Sequence, residues 1–365
     1  MQPPNRRQYK GLVFAPNQEV RGYFNLWRGF SVEPRKGDWS KFRNHMFENV
    51  CCEDKELYRW VMAWWAQMFQ QPERKMGTSL ILRGEPGAGK TKVGDVFGSL
   101  LHPAHWIIAS QPRYITGRFN SHQAQCLLLQ LEEGFWAGDK EAESVLKHMI
   151  TSEHQTIEYK GYEPIQVNSY VRLFITGNAD WQVPAALKER RHAVLDVNPQ
   201  RPRDNEYFAA IDEQMDNGGR EALLYHLLNF DLSRVNLREI PKTEALLDQK
   251  IHSMKPEELW LYNILSSGRL PGGGSFSAST QCRTGGLFED YLTHTGKLGH
   301  KGRKSTETEI GAFLKKMLGS TFTKRRDRRR GIHIYEFQPL KTCRRQFERQ
   351  LDQEIEWDKS EEWGE

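Results

Sequence analysis

Between a run of apolar residues and a helix-like stretch, Gly84-Glu85-Pro86-Gly87-Ala88-Gly89-Lys90-Thr91 spells the pattern GxxxxGK[ST]. The preceding TSLILR is strand-like and the following KVGDVFGSLL helix-like, which is the context this pattern requires. Glycines at these positions let the backbone curl until successive N–H groups converge on an anion, and a helix beginning near Lys90 adds the positive end of its dipole. Lys90 supplies a point charge for β- and γ-phosphates, and the Thr91 hydroxyl can ligate Mg²⁺. The segment is therefore expected to bind a nucleoside triphosphate, with ATP and Mg²⁺ as cofactors.

A strand that feeds such a loop belongs to a buried sheet. From Met76 onward five short apolar runs, TSLILR, HWIIAS, CLLLQL, VRLFIT and HAVLDV, alternate with helical segments, the pattern of a mainly parallel sheet in an α/β core over residues 76–200. Residues 1–75 read as a mainly helical module that also serves oligomerisation, with Trp60, Val61, Trp64, Trp65 and Phe69 at helical spacing forming a core stripe. Residues 201–265 read as a helical lid or connector, clearest in EALLYHLLNF from Glu221 to Phe230. The Gly/Ser/Pro-rich text around 266–280 reads as a flexible linker, followed by a small basic module over 281–351 and an acidic tail over 352–365.

At 365 residues, with 38% hydrophobic and 27% charged, the chain has the composition of a folded protein of more than one domain. No window approaches the roughly 20 apolar residues of a membrane span, and MQPPNRRQYKGLVF lacks the apolar stretch of a signal peptide, so a cytoplasmic location without membrane contact is expected. Cys51, Cys52, Cys126, Cys282 and Cys343 show no CxxC spacing and support neither a disulfide framework nor a zinc site; Cys51 and Cys52 read as helix residues. A net charge of +5 hides a local excess, because Gly296–Gln350 holds 16 Lys and Arg against 5 Asp and Glu. Such an excess calls for a polyanionic partner.

Three further positions extend the nucleotide chemistry. CLLLQL ends in Glu132-Glu133, and this strand is expected beside the loop strand, with Glu132 supporting the metal and Glu133 orienting the attacking water as base. VRLFIT ends in Gly177-Asn178, whose amide can hydrogen-bond the γ-phosphate and that water. In VPAALKERR, Arg190 or Arg191 can serve as the positive group that a neighbouring subunit brings to the phosphoryl charge.

GEPGAGKT, LLLQLEE and VRLFITGN, taken in that order, resemble the A, B and C motifs of superfamily 3 helicases. The chain is most similar to the helicase portion of phage and prophage primase-helicases, including YFNLWRGF near its start and YEFQPLKTCRRQFE near its end, and the likeness is strongest from Leu80 to Val197. The resemblance implies an AAA+-like P-loop ATPase core, a homo-oligomeric and commonly hexameric ring, and movement along single-stranded DNA from three-prime to five-prime, in a bacterial host or phage-infected cell. It puts the metal-site acid on Glu132, where many relatives carry Asp, the catalytic acid on Glu133, the sensor on Asn178 and the finger on Arg190, with Arg191 beside it inseparable by spacing. It also implies a hairpin reaching into the ring channel. HQTIEYKGYEPIQV alternates on both sides of Tyr159-Lys160-Gly161-Tyr162, so Lys160 is expected to contact DNA phosphate and Tyr159 or Tyr162 to pack on sugar or base.

In the basic module, TETEIGAFLKKML opens with a capping-box pattern, Thr306 and Glu309, and places Ile310, Phe313, Leu314, Met317 and Leu318 on one helical face. The text TKRRDRRR reads as a loop before the strand-like GIHIYEF, and a closing helix carries Leu340, Cys343, Phe347 and Leu351. This order suggests a winged-helix-like domain whose wing, Lys324, Arg325, Arg326, Arg328, Arg329 and Arg330, touches DNA, with RNA or an acidic protein as the alternative partner. No Asp-x-Asp pair occurs, so a primase is expected only on a removed segment or another chain. Two competing readings are a nucleotide-switched replication initiator or loader, and a helicase-derived ATPase of a phage-defence or regulatory assembly.

Overall fold

The structure is a computed structural model describing residues 8–357 except 112–114, 116, 133–139, 179, 181–182, 272–273, 276–279, 300–301 and 329–330. It has two compact units: one runs up to Pro184 and includes Arg190–Gln249, and the other comprises Ala185–Glu189 with the chain from Lys250 onward.

The described residues of the first unit open without helix. Strands β1 (Leu12–Val13) and β2 (Phe24–Asn25) pair in parallel, and helix begins only with α1 (Ser40–Asn44), a π-helical turn over His45–Val50, and α2 (Lys55–Gln70). The entry module expected to be mainly helical is thus extended in its first half, where Pro16, Pro34 and the positive φ of Gly22 and Gly29 interrupt any helix. Cys51 closes the π-helical turn and Cys52 takes positive φ, so the pair sits in a turn rather than within a helix. The module is not separate either. Asp54 caps α2 by accepting from the N–H groups of Glu56 and Leu57, and the stripe Trp60, Val61, Trp64, Trp65 and Phe69 shares one core with Leu80, Leu82, Phe97 and Phe174. Trp65 stacks on Phe97 with ring centroids 4.0 Å apart. Truncating a buried ring of this size costs roughly 3–5 kcal/mol.

All five apolar runs become strands of one sheet. Along the chain come β3 (Ser79–Arg83), α3 (Lys90–Ser99), β4 (Trp106–Ala109), β5 (Leu128–Glu132), α4 (Lys140–Thr151), the antiparallel pair β6 (His154–Ile157) and β7 (Ile165–Asn168), then β8 (Arg172–Gly177) and β9 (His192–Asp196). The sheet order is β4-β5-β8-β3-β9 and every neighbouring pair is parallel, which explains why β3 and β8, apolar over Leu80–Leu82 and Leu173–Ile175, are buried along their whole length. One expectation is corrected here: β5 does not lie beside the loop strand, because β8 is inserted between β5 and β3. The three strands still end together, with Arg83 level with Gly177 and Glu132 level with Thr176. Helices α5 (Asn205–Gln214), α6 (Arg220–Leu228) and α7 (Glu244–His252) follow.

The second unit begins before the Gly/Ser/Pro-rich text. Its α8 (Pro256–Ser267) carries Trp260, whose indole N–H donates to Asp290 at 2.8 Å and whose ring meets Tyr291 edge-on. The unit boundary falls between Gln249 and Lys250, not inside the expected linker, where Gly268 caps α8 at φ 65° and β10 (Arg269–Leu270) pairs with β11 (Gly274–Ser275). Flexible composition does not reveal whether the flanking elements pack across it. Then come β12 (Thr280–Arg283), α9 (Thr284–Lys297), α10 (Glu307–Leu318), β13 (Phe322–Asp327), β14 (Ile332–Phe337) and α11 (Leu340–Leu351), the strands forming an antiparallel sheet in the order β12-β14-β13.

The capping box of α10 forms: Thr306 Oγ1 accepts from the Glu309 N–H, and Glu309 accepts from the Thr306 N–H at 2.7 Å. Ile310, Leu314, Met317 and Leu318 are buried, as are Cys343, Phe347 and Leu351 of α11. TKRRDRRR differs from expectation, since Lys324, Arg325 and Arg326 stand on the edge strand β13 rather than in a loop. Ladder pairing with β14 outweighs their weak strand preference, and charges on an edge strand discourage further pairing. Among the described residues no helix is long and apolar enough to cross a membrane.

Candidate functional site

The loop after β3 owes its shape to glycine. Gly84, Gly87 and Gly89 all have positive φ, and the space beside the last two is already taken. A Cβ on Gly89 would sit 2.6 Å from His45 Cε1 and 2.7 Å from Phe208 Cε1, and one on Gly87 would meet Arg203 Cγ at 2.8 Å. Gly89 is also the N-cap of α3 and offers no side chain to the first turn, so that end of the helix keeps its N–H groups for another acceptor. Lys90 is buried, with Nζ donating to the carbonyls of Gly84 at 2.8 Å and Glu85 at 2.7 Å. Beneath the loop His45 is neutral, because burial lowers its pKa to about 4.

A cleft of about 460 Å³ opens over this loop. It brings together Gly89, Lys90 and Thr91, the strand-tip Asn178, and three residues that sequence reasoning missed: Asp95, Arg203 and Phe208. Asp95 had a signal, one helical turn beyond Thr91 on α3. Arg203 had none, since only tertiary folding brings its backbone N–H to the carbonyl of Gly87 at 3.2 Å. Glu132 stands half-buried at the tip of β5, one strand further across the sheet, and Glu133 lies outside the described residues. Thr91 and Asp95 line the cleft with a hydroxyl and a carboxylate, and Glu132 adds a carboxylate at the tip of β5; oxygens of these kinds are the hard donors that Mg²⁺ prefers.

Arg190 and Arg191 do not join the cleft of their own chain. They precede His192, which is in register with Ser79 at the start of β3, and the Arg191 carbonyl accepts from the Ser79 N–H at 2.7 Å. The loop lies at the other end of β3, four residues or roughly 13 Å of strand away. That other end is anchored by Arg83, whose Nε and Nη2 bond both oxygens of Asp196 at 2.5 and 2.6 Å, with Nη2 also reaching Asp248 at 2.7 Å.

The expected hairpin is β6-β7, inserted between α4 and β8. Its last pair is Ile157 with Ile165, and the Tyr162 N–H turns back to the Tyr159 carbonyl at 3.3 Å, with Gly161 at φ 83°. Lys160, Tyr159 and Tyr162 are all exposed. Lys75 fastens the hairpin root, donating to the carbonyls of Met149 and Ser152 and to Ser169 Oγ. Beside the hairpin Asn120 grips β6, donating to the Thr156 carbonyl at 2.9 Å and accepting from the Glu158 N–H at 2.8 Å. Arg118 and Phe119, which precede this clamp, are exposed, and Arg118 Nε pairs with Glu158 at 2.6 Å, one residue before Tyr159.

In the second unit Lys324, Arg325, Arg326 and Arg328 are exposed, with Arg325 Nε 3.5 Å from Glu336; Arg329 and Arg330 lie outside the described residues.

A five-stranded parallel sheet with a glycine loop at its carboxyl edge defines an α/β chain with a candidate phosphate site. Comparison with known proteins agrees at the level of fold. A model for a family of unknown function, DUF5906, matches residues 82–191. Three apo structures of the NrS-1 C-terminal region resemble this chain with TM-scores of 0.68, 0.66 and 0.64, at 18%, 18% and 17% identity. Each covers 91% of this chain and 85% of the other. At that identity the likeness shows a shared fold. No curated protein matches the sequence.

Proposed function

We propose that this chain is an ATP- and Mg²⁺-dependent DNA helicase of the superfamily 3 type, an AAA+-like P-loop ATPase that works as a ring on single-stranded DNA. One observation carries the reading. Strand β8 has Asn178 at one end, in the cleft with Lys90 and Thr91, and the Lys160 hairpin at the other. A fully buried strand of six residues is a stiff link between the two.

In this reading the loop N–H groups take the phosphates, and Lys90 moves from its loop carbonyls to the β- and γ-oxygens. Mg²⁺, held by Thr91 and Glu132, neutralises charge on those oxygens when bound. Glu133 orients the lytic water and Asn178 senses whether the γ-phosphate is present. Loss of that contact biases β8, and with it the hairpin, so that Lys160 shifts along the DNA backbone while Tyr159 or Tyr162 packs on sugar or base. Arg190 and Arg191, remote from their own cleft, act in the cleft of a neighbouring copy, which is why the reading requires a ring. The second unit's helices and three-stranded sheet fit a winged helix, with Lys324, Arg325, Arg326 and Arg328 on DNA phosphate.

The test measures phosphate release with and without single-stranded DNA, alongside native mass in a nonhydrolysable ATP analogue. Stimulation by DNA and a ring-sized mass are expected. Hydrolysis that ignores single-stranded DNA, in a chain that stays monomeric with nucleotide bound, would sink the helicase reading.

A further inference from the structure

Gln130 is a polar side chain with no solvent exposure, in the buried strand β5. Its amide is held at both ends. The indole N–H of Trp106, on the neighbouring strand β4, donates to Gln130 Oε1 at 3.1 Å. An indole nitrogen can only donate, so this bond decides which end of the amide is oxygen and turns Nε2 the other way. There Nε2 donates to Glu132 Oε1 at 2.8 Å and reaches Asp95 Oδ1 at 3.4 Å. Gly94 makes the approach to α3 possible, since a Cβ at that position would lie 2.3 Å from Gln130 Oε1.

We propose that Asp95 is an additional carboxylate of the Mg²⁺ site and that Gln130 is the positioning residue that holds Asp95 and Glu132 together. This rests on the nucleotide-hydrolysis reading above. Thr91 and Asp95, one turn apart on α3, both line the cleft, whereas Glu132 comes from the end of strand β5. Two carboxylates drawn to one place repel unless a cation or a shared donor lies between them. Gln130 is that donor, and Trp106 keeps its amide from turning over. The arrangement presents carboxylate oxygens from two elements before any metal arrives, and Mg²⁺ takes one or two carboxylates besides phosphate and water.

The experiment uses the full chain and equilibrium binding of a fluorescent nonhydrolysable ATP analogue, with the gain in affinity on adding Mg²⁺ as readout. Gln130→Met removes the donor at similar volume. Trp106→Phe removes the indole N–H that orients the amide, together with part of the ring packed on Gly98, while leaving the Gln130 donor in place, and it decides the matter if Gln130→Met does not fold. The Mg²⁺ gain should fall about tenfold in Gln130→Met, the scale typical of outer partners of metal ligands, and less in Trp106→Phe. Asp95→Asn should lose more than either. A Mg²⁺ gain equal to wild type in these variants, including an equal loss of affinity with and without the metal, overturns the proposal while leaving the nucleotide reading intact. A wild-type chain that binds no nucleotide overturns both.

Discussion

The two ends of β8 are built on different principles. At the cleft end, shape is imposed from a distance: Gly89 faces His45 and Phe208, and Gly87 faces Arg203. At the hairpin end Gly161 also has positive φ, yet nothing lies within 4 Å of where its Cβ would be. The turn there closes within four residues, Tyr159 to Tyr162. Stabilising a reacting phosphate needs groups fixed to a fraction of an ångström, which takes support from many elements. Gripping a strand of any sequence needs only exposed charge and rings.

The largest effect should come from Lys90→Ala, which in the proposed function lowers phosphate release by on the order of a thousandfold, with or without DNA. Retention of even a tenth of wild-type turnover would place the chemistry elsewhere. Gly89→Ala is expected to destabilise the first unit by roughly 2–4 kcal/mol in denaturant melts and to abolish nucleotide binding, since strain and overlap add. Gly161→Ala, strained but unobstructed, should cost only about 1 kcal/mol. Equal costs at the two glycines would erase the contrast drawn above.

Lys75, at the hairpin root, gives the comparison a pH dependence. Burial lowers its pKa from 10.5 to about 7, so above that pH the folded chain has released a proton that the unfolded chain still holds. Stability should therefore rise with pH between about 7 and 10.5, and below 7 the lysine contributes no further slope. Its share is at most about 1.4 kcal/mol per pH unit. Lys75→Met should flatten the rise, and unchanged slopes in paired melts would show that the ammonium is not desolvated. Smallest in free energy, Lys160→Ala should weaken single-stranded DNA binding and reduce the slope of log affinity against log salt by about 0.7, as loss of one phosphate contact requires. An unaltered slope would remove Lys160 from the DNA path.

Much of this was written locally. Five apolar runs specify five strands because a short apolar run bounded by turns leaves a mark of length and hydrophobicity that needs no partner to be read, and the hairpin turn and the Thr306 capping box each close within a few residues. What could not be read there is whatever depends on who sits beside whom. Apolar runs do not state their order, so the insertion of β8 between β3 and β5 leaves no mark in them. Basic residues on β13 looked like loop because pairing with β14, not their own preference, makes them strand. Arg203 and Phe208 at the cleft, Asn120 under the hairpin and Gln130 behind Glu132 carry no motif, since each meets a residue tens of positions or more away in sequence. Local pattern names the elements and the candidate groups. Packing chose their neighbours, because long-range contacts depend on the combined shape of several elements at once.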